Sequence, residues 1–189
     1  MTRNINWPGR GPTWIGVPAL VAMLFGGLML LELDSRVSLS RELLAGGAES
    51  VASSVEVEVD PGKGSPLIGE VRVVFAAPER GQVRAVLKYC EDDRQGMPEG
   101  VRPPAPGTRY AKPLQVLYRP SDPSTALAAV DAREWIGDRR TPRIGWGLVV
   151  GGSALVLLAM VLLTIGARRR GLSWWQWYTE GRLARTGPQ

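Results

Sequence analysis

Two uncharged apolar runs bracket this chain, and between them hydrophobic residues alternate with polar ones at a spacing of two. The second run, Ile144–Ile165 (IGWGLVVGGSALVLLAMVLLTI), is 22 residues long. At about 1.5 Å per residue it makes a helix of roughly 33 Å, enough to cross a hydrocarbon core about 30 Å thick. The first run, Trp14–Leu31, has 18 residues and reaches roughly 27 Å, near the lower limit for crossing. Pro18 falls in or near its first turn, where a missing N–H does least harm. Both runs predict transmembrane helices, over 14–33 and 144–166. A cleaved signal peptide is the rival reading of the first, because two arginines precede its apolar core. The segment that follows, LELDSRVS, offers no small-x-small cleavage site, which favours an uncleaved anchor.

Between the runs, Ser38–Leu44 predicts a short helix with Ser40 as N-cap and Gly46-Gly47 as its break, within a linker over 34–53. From Ser54 to Asp60, Val55, Val57 and Val59 alternate with Glu56, Glu58 and Asp60, the signature of one buried and one wet strand face. Pro61–Gly64 is a turn, and Ile68–Phe75 resumes with Val71, Val73 and Phe75 on one face. After a turn at Pro78–Gly81, Gln82–Cys90 sets Val83, Ala85, Leu87 and Tyr89 against Arg84, Val86, Lys88 and Cys90. Three strands joined by short turns predict an antiparallel meander. Residues 91–109, rich in proline, glycine and charge, read as a loop, and Leu114–Arg119 as a fourth strand. Asp122 or Ser124 is placed to cap a short helix through Val130. Residues 133–143 lead back to the second run, with Trp135 and Trp146 as interface anchors. The expected fold is α+β: two transmembrane helices flanking a small antiparallel β-sheet domain, sandwich- or barrel-like, over 54–135, with a linker at 136–143.

Charge sharpens the picture. The chain has 23 Lys and Arg against 18 Asp and Glu, a net charge of +5 and a pI near 9.9. The excess lies wholly in the tails: residues 1–13 carry +2, residues 166–189 carry +4, and the stretch 32–143 carries −1. A basic patch on a nucleic-acid-binding domain would look different. Arginines beside apolar runs, at 3, 10 and 168–170, predict cytoplasmic ends and a translocated domain over 34–143. Arg139, Arg140 and Arg143 argue the other way, but long loops translocate largely regardless of charge. There is no histidine and Cys90 is the single cysteine, so a Cys/His zinc site, a Ser-His-Asp triad and an internal disulfide have no residues to build them.

This layout, with Pro106-Gly107-Thr108 followed by Leu114-Gln115-Val116-Leu117-Tyr118-Arg119-Pro120-Ser121-Asp122-Pro123-Ser124, resembles a large bacterial family of two-helix membrane proteins classed only as a domain of unknown function. Its members carry a glycine and then a V-x-V-x-Y-D-P-x-N-P-S strand and turn shortly before the second span. Val116, Tyr118, Pro120, Pro123 and Ser124 match; Arg119 and Asp122 stand where the family has Asp and Asn. The resemblance covers about residues 12–167. It implies an extracytoplasmic β domain and a place in the bacterial cytoplasmic membrane, and, since the family has no known activity, no catalytic residues.

Candidate sites remain few. Gly147-x-x-x-Gly151 in the second run, and Ala22 and Gly26 in the first, have the spacing that lets helices approach closely, either against each other or against another chain. Arg168, Arg169 and Arg170, followed by Trp174, Trp175, Trp177 and Tyr178 on a short capped helix, predict a segment lying at the membrane interface. Glu91-Asp92-Asp93 is a weak metal candidate, since calcium needs six to eight oxygens from spaced positions. Glu56 and Glu58 resemble a glycosidase pair in type, but alternation with valine explains them as a wet strand face. Cys90 reads as a buried, inert thiol near a strand end. No cofactor is implied. The expectation is a non-enzymatic membrane protein that presents its β domain for binding or assembly, or an accessory subunit of a larger membrane complex. Its partners would be the bilayer and a membrane protein or a second copy, not nucleic acid.

Overall fold

A computed structural model of the chain describes residues 13–60, 67–78, 80–91, 99–169, 171 and 173. In chain order the elements are α1 (Thr13–Gly46), β1 (Ala48–Asp60), β2 (Leu67–Ala77), β3 (Gly81–Val86), β4 (Gly100–Arg102), β5 (Gln115–Arg119), β6 (Asp122–Ala128), α2 (Ala129–Gly137) and α3 (Arg140–Arg169). This is the expected α+β arrangement, two long apolar helices flanking an antiparallel sheet. The chain forms two compact units, one from α1 up to Glu32 together with α3, the other Leu33–Asp138.

In the first unit the helices meet through glycine. A Cβ at Gly26 would lie 2.8 Å from Leu148 Cβ and 2.9 Å from the Gly145 carbonyl oxygen. One at Gly152 would lie 2.7 Å from the Ala19 carbonyl oxygen. Side chains larger than hydrogen are excluded there by backbone, which cannot swing aside. Gly145 and Gly152, seven residues apart, are thus on the α3 face that meets α1. Gly147 and Gly151 have nothing within 4 Å of such a Cβ. The expected pairing of the two helices through those two glycines is corrected by that offset in helical phase.

α1 is longer than its apolar run. Its 34 residues include 33–46, where a separate capped helix and a linker were expected. Charges at Glu32 and Asp34 end a bilayer-type run, but they do not end a helix. Beyond them Arg36, Val37, Ser40 and Leu43 recur at helical spacing and pack within the second unit, of which they are part. Ser40 is no N-cap: it is fully buried inside the helix, and its hydroxyl donates to the Arg36 carbonyl at 2.7 Å. The helix does end at the expected break. A Cβ at Gly47 would lie 2.5 Å from the Leu43 carbonyl oxygen, so only glycine fits the tight exit into β1.

The second unit is a six-stranded sheet in the order β3-β2-β1-β5-β6, with β4 on β1 as well. The meander of β1, β2 and β3 is as expected, with Val55↔Val73 and Val73↔Ala85 among its pairs. β1 begins six residues before the alternation shows. Ala52 faces inward in its first part, and a register shift between Ala52 and Ser54 transfers the inward face to Val55, Val57 and Val59. The bulge changes parity and so hides the earlier segment from a period-two reading. At the far end Leu87 bridges Ala126, and the Lys88 N–H donates to the Ala126 carbonyl at 2.9 Å, bringing the two edges of the sheet together. The curled sheet encloses Val57, Val71, Val73, Phe75, Val116 and Tyr118. Its outer side carries a second core in which Leu43 of α1 and Ala132 and Trp135 of α2 cover Leu117 and Leu127.

Three further expectations are revised. The segment 122–128 is strand β6, paired with β5 at Leu117↔Leu127 and Tyr118↔Ala126, rather than a helix. Ala126 and Ala128 enter the inner core and Leu127 the outer one. A strand buried on both faces reads as a continuous apolar run, which period alone cannot separate from a helix. Gly100–Arg102 forms the short strand β4 within the stretch read as loop. Trp135, expected as an interface anchor, is 4% exposed within the outer core, whereas Trp146 is 60% exposed.

Candidate binding site

The polar residues of the second unit gather where the stretch after β3, the segment before β5, α1 and α2 come together. Arg36, on the last part of α1, places its guanidinium carbon 5.5 Å from the Trp135 ring centroid and 5.7 Å from that of Tyr89. The two rings meet edge to face at 6.1 Å. β3 stops at Val86, and Tyr89 takes a left-handed backbone conformation (φ 52°), which breaks the alternation expected through Cys90 and turns its ring towards Trp135. The same turn sets Cys90 against the inner core instead of on the face of Arg84 and Lys88. One carboxylate oxygen of Glu91 accepts from Arg36 at 3.2 Å and from the Trp135 indole N–H at 2.7 Å.

A second chain of bonds lies beneath. Tyr110 and Asp131 are both fully buried. The Tyr110 hydroxyl accepts from the Glu91 N–H at 2.7 Å and donates to Asp131 Oδ2 at 3.0 Å. Asp131 Oδ1 accepts from Arg109 Nε at 2.5 Å, and a terminal nitrogen of Arg109 donates to Glu134 at 2.6 Å. Burial, with the negative charge of Asp131 beside it, pushes the Tyr110 hydroxyl well above its ordinary range. Burial likewise raises Asp131, opposed by Arg109 and by the bond from Tyr110. Burial alone would weaken the charge on Arg109, but the carboxylates of Asp131 and Glu134 more than offset it. Desolvation also lifts the Cys90 thiol, to about 11. The arrangement ties α1, the 109–110 segment and α2 to the sheet. Asp131 is enclosed, with both oxygens engaged, so it is set up to hold structure rather than to exchange protons with a solvent-borne substrate.

Arg109 also faces outward, into a groove of about 340 Å³ between β1, the segment 111–115 and α2. Its walls are Val51, Pro113, Leu114 and Val130, and Arg133 stands with Arg109 in the lining. Two wall residues, Val51 at 56% and Val130 at 41%, are unusually exposed for valines.

None of the residues singled out from the sequence lies in this region except Glu91, Cys90 and Trp135. Asp92 and Asp93 lie outside the described residues. Glu58 instead pairs with Arg72 on the wet face of the sheet. Among the described residues no three His, Cys, Asp or Glu side chains gather as a metal site. Gly26 sits at the helix contact, with Ala22 half-buried one turn earlier. Arg168 and Arg169 occupy the last turn of α3. Arg170, Trp174, Trp175, Trp177 and Tyr178 lie outside the described residues. One signal did point to the buried network: Asp131 shares a helical stripe with Ala132 and Trp135, an acid at an apolar position. In comparisons with known proteins, the chain matches no family model, no curated protein and no solved structure.

Proposed function

We propose that this is a non-enzymatic integral membrane protein, anchored by α1 and α3, that presents the domain over 34–143 outside the membrane for binding or assembly. One observation carries the reading. Both long helices have apolar windows of which only 11% is buried within the protein, so their hydrophobic side chains need a cover from outside. Leu28 at 67%, Val150 at 62% and Leu157 at 62% are among those left exposed. A core helix of a water-soluble protein would bury them. The bacterial cytoplasmic membrane is the location in keeping with the family resemblance, with both termini on the cytoplasmic side.

Extraction and topology test this together. The chain should stay in the membrane pellet after an alkaline carbonate wash. A reporter active only outside the cytoplasm should be silent when fused after Gln189 and active near Gly96. Release by carbonate would end the membrane reading, and the inverse reporter pattern would end the orientation.

A second reading, an accessory subunit of a larger membrane complex, is favoured by Gly147 and Gly151, which leave a smooth, uncovered strip on α3. The mass of the intact particle in mild detergent separates the two, since a second polypeptide at fixed stoichiometry would establish the subunit reading.

A further inference from the structure

We infer that the groove between the 109–115 segment and α2 receives the carboxylate end of a peptide whose last residue is apolar. The inference rests on the reading of this domain as a binding module and specifies what it would bind.

The groove holds about 340 Å³. That is near the lower end of the ligand-site range of about 300–1,000 Å³, with room for an aliphatic side chain and a carboxylate. Its walls, Val51, Pro113, Leu114 and Val130, are apolar and come from three separate parts of the fold. The charges in the lining are both positive, Arg109 and Arg133. Arg109 is neutralised on its inner side by Asp131 and Glu134. Arg133 is exposed and makes no hydrogen bond or ion pair among the described residues. One uncompensated guanidinium beside aliphatic walls complements a ligand with one negative charge next to one apolar group. A guanidinium fork bonds a carboxylate in two places, and the Gln115 amide, also in the lining, offers a donor and an acceptor to a peptide group. The groove is open to solvent along Val51 and Val130, so the rest of a chain has a way out.

The test uses the full chain in lipid nanodiscs and the dye-labelled tripeptide Ala-Ala-Leu, followed by fluorescence anisotropy. The free acid should bind saturably and its C-terminal amide about tenfold more weakly, a difference on the scale of a lost charge-assisted bond. Arg133→Gln, a change at an exposed position, should weaken the acid to the level of the amide, and Val130→Asp should abolish binding. Arg84→Gln, on the outer face of β3, should leave it unchanged. Equal affinity for acid and amide, or an unaffected Arg133→Gln, overturns the inference. Competition by N-acetyl-leucine that matches the peptide mole for mole overturns the peptide assignment in favour of a small free acid. Absence of saturable binding in a chain that resists carbonate removes the groove inference and leaves the membrane reading intact. Binding by a chain that washes off does the reverse.

Discussion

Asp131 is a fully buried junction of the second unit, its two oxygens joining Arg109 and Tyr110. Asp131→Ala would leave a guanidinium and a phenol facing a cavity. Removal of one partner of a buried pair costs about 3 kcal/mol, and thermal unfolding in detergent should show a loss of that order. Tyr110→Phe strands the Glu91 N–H and one Asp131 oxygen, and should cost about 2 kcal/mol in the same measurement. Cys90 gives the pH dependence. Its thiol keeps its proton up to about 11, against 9.0 in an unfolded chain. Between those values the unfolded chain binds fewer protons, so stability falls as pH rises through that window. With so little thiolate at pH 8, a maleimide should label Cys90 about 100-fold more slowly than an exposed cysteine. Equal labelling rates would mean that the desolvated setting is wrong.

At the scale of elements, the helix pair and the two ends of the sheet carry the decisive positions. Gly152→Val drives a side chain into the Ala19 carbonyl and should separate α1 from α3, read as a lower melting temperature in detergent. Gly147→Val and Gly151→Val, on the open strip, should leave that temperature unchanged. If all three behave alike, α3 does not meet α1 on the face of Gly145 and Gly152. Much of this was legible in the residues. Val55, Val57, Val59, Val71 and Val73 alternate because one side of each strand is core and the other is wet, and period two reads that directly. The break at Gly46-Gly47 was equally plain. Legibility failed where two environments met. β6 lies between two cores, so its run of Ala126, Leu127 and Ala128 has no polar partner to mark a period. α1 passes from its apolar run into the packing of the second unit without a helix stop, so its hydropathy ends before its backbone does. The groove escaped because its parts, Val51, Arg109 and Arg133, are far apart in the chain and ordinary one by one.

For the molecule as a whole, orientation turns on the balance between arginines on either side of α3. Arg139, Arg140 and Arg143 stand before or within its first turn, and Arg168, Arg169 and Arg170 follow its apolar body. These two trios nearly cancel in the bias they place on orientation, since each lies within reach of a helix end. What tips the proposed arrangement is Arg3 and Arg10 ahead of α1, together with the length of the intervening domain, which translocates with little regard to its own charge. Replacement of Arg168, Arg169 and Arg170 by glutamine should therefore yield a mixed population. A reporter after Gln189 that works only outside the cytoplasm should gain activity, and the fusion near Gly96 should lose little, because α1 still holds its own orientation. Replacement of Arg139, Arg140 and Arg143 should leave both signals as in the native chain. A native pattern in both variants would mean that the first helix alone sets the topology, and the basic end of α3 would then be free to serve the lipid surface, where each arginine contributes about 1 kcal/mol of attraction to anionic headgroups.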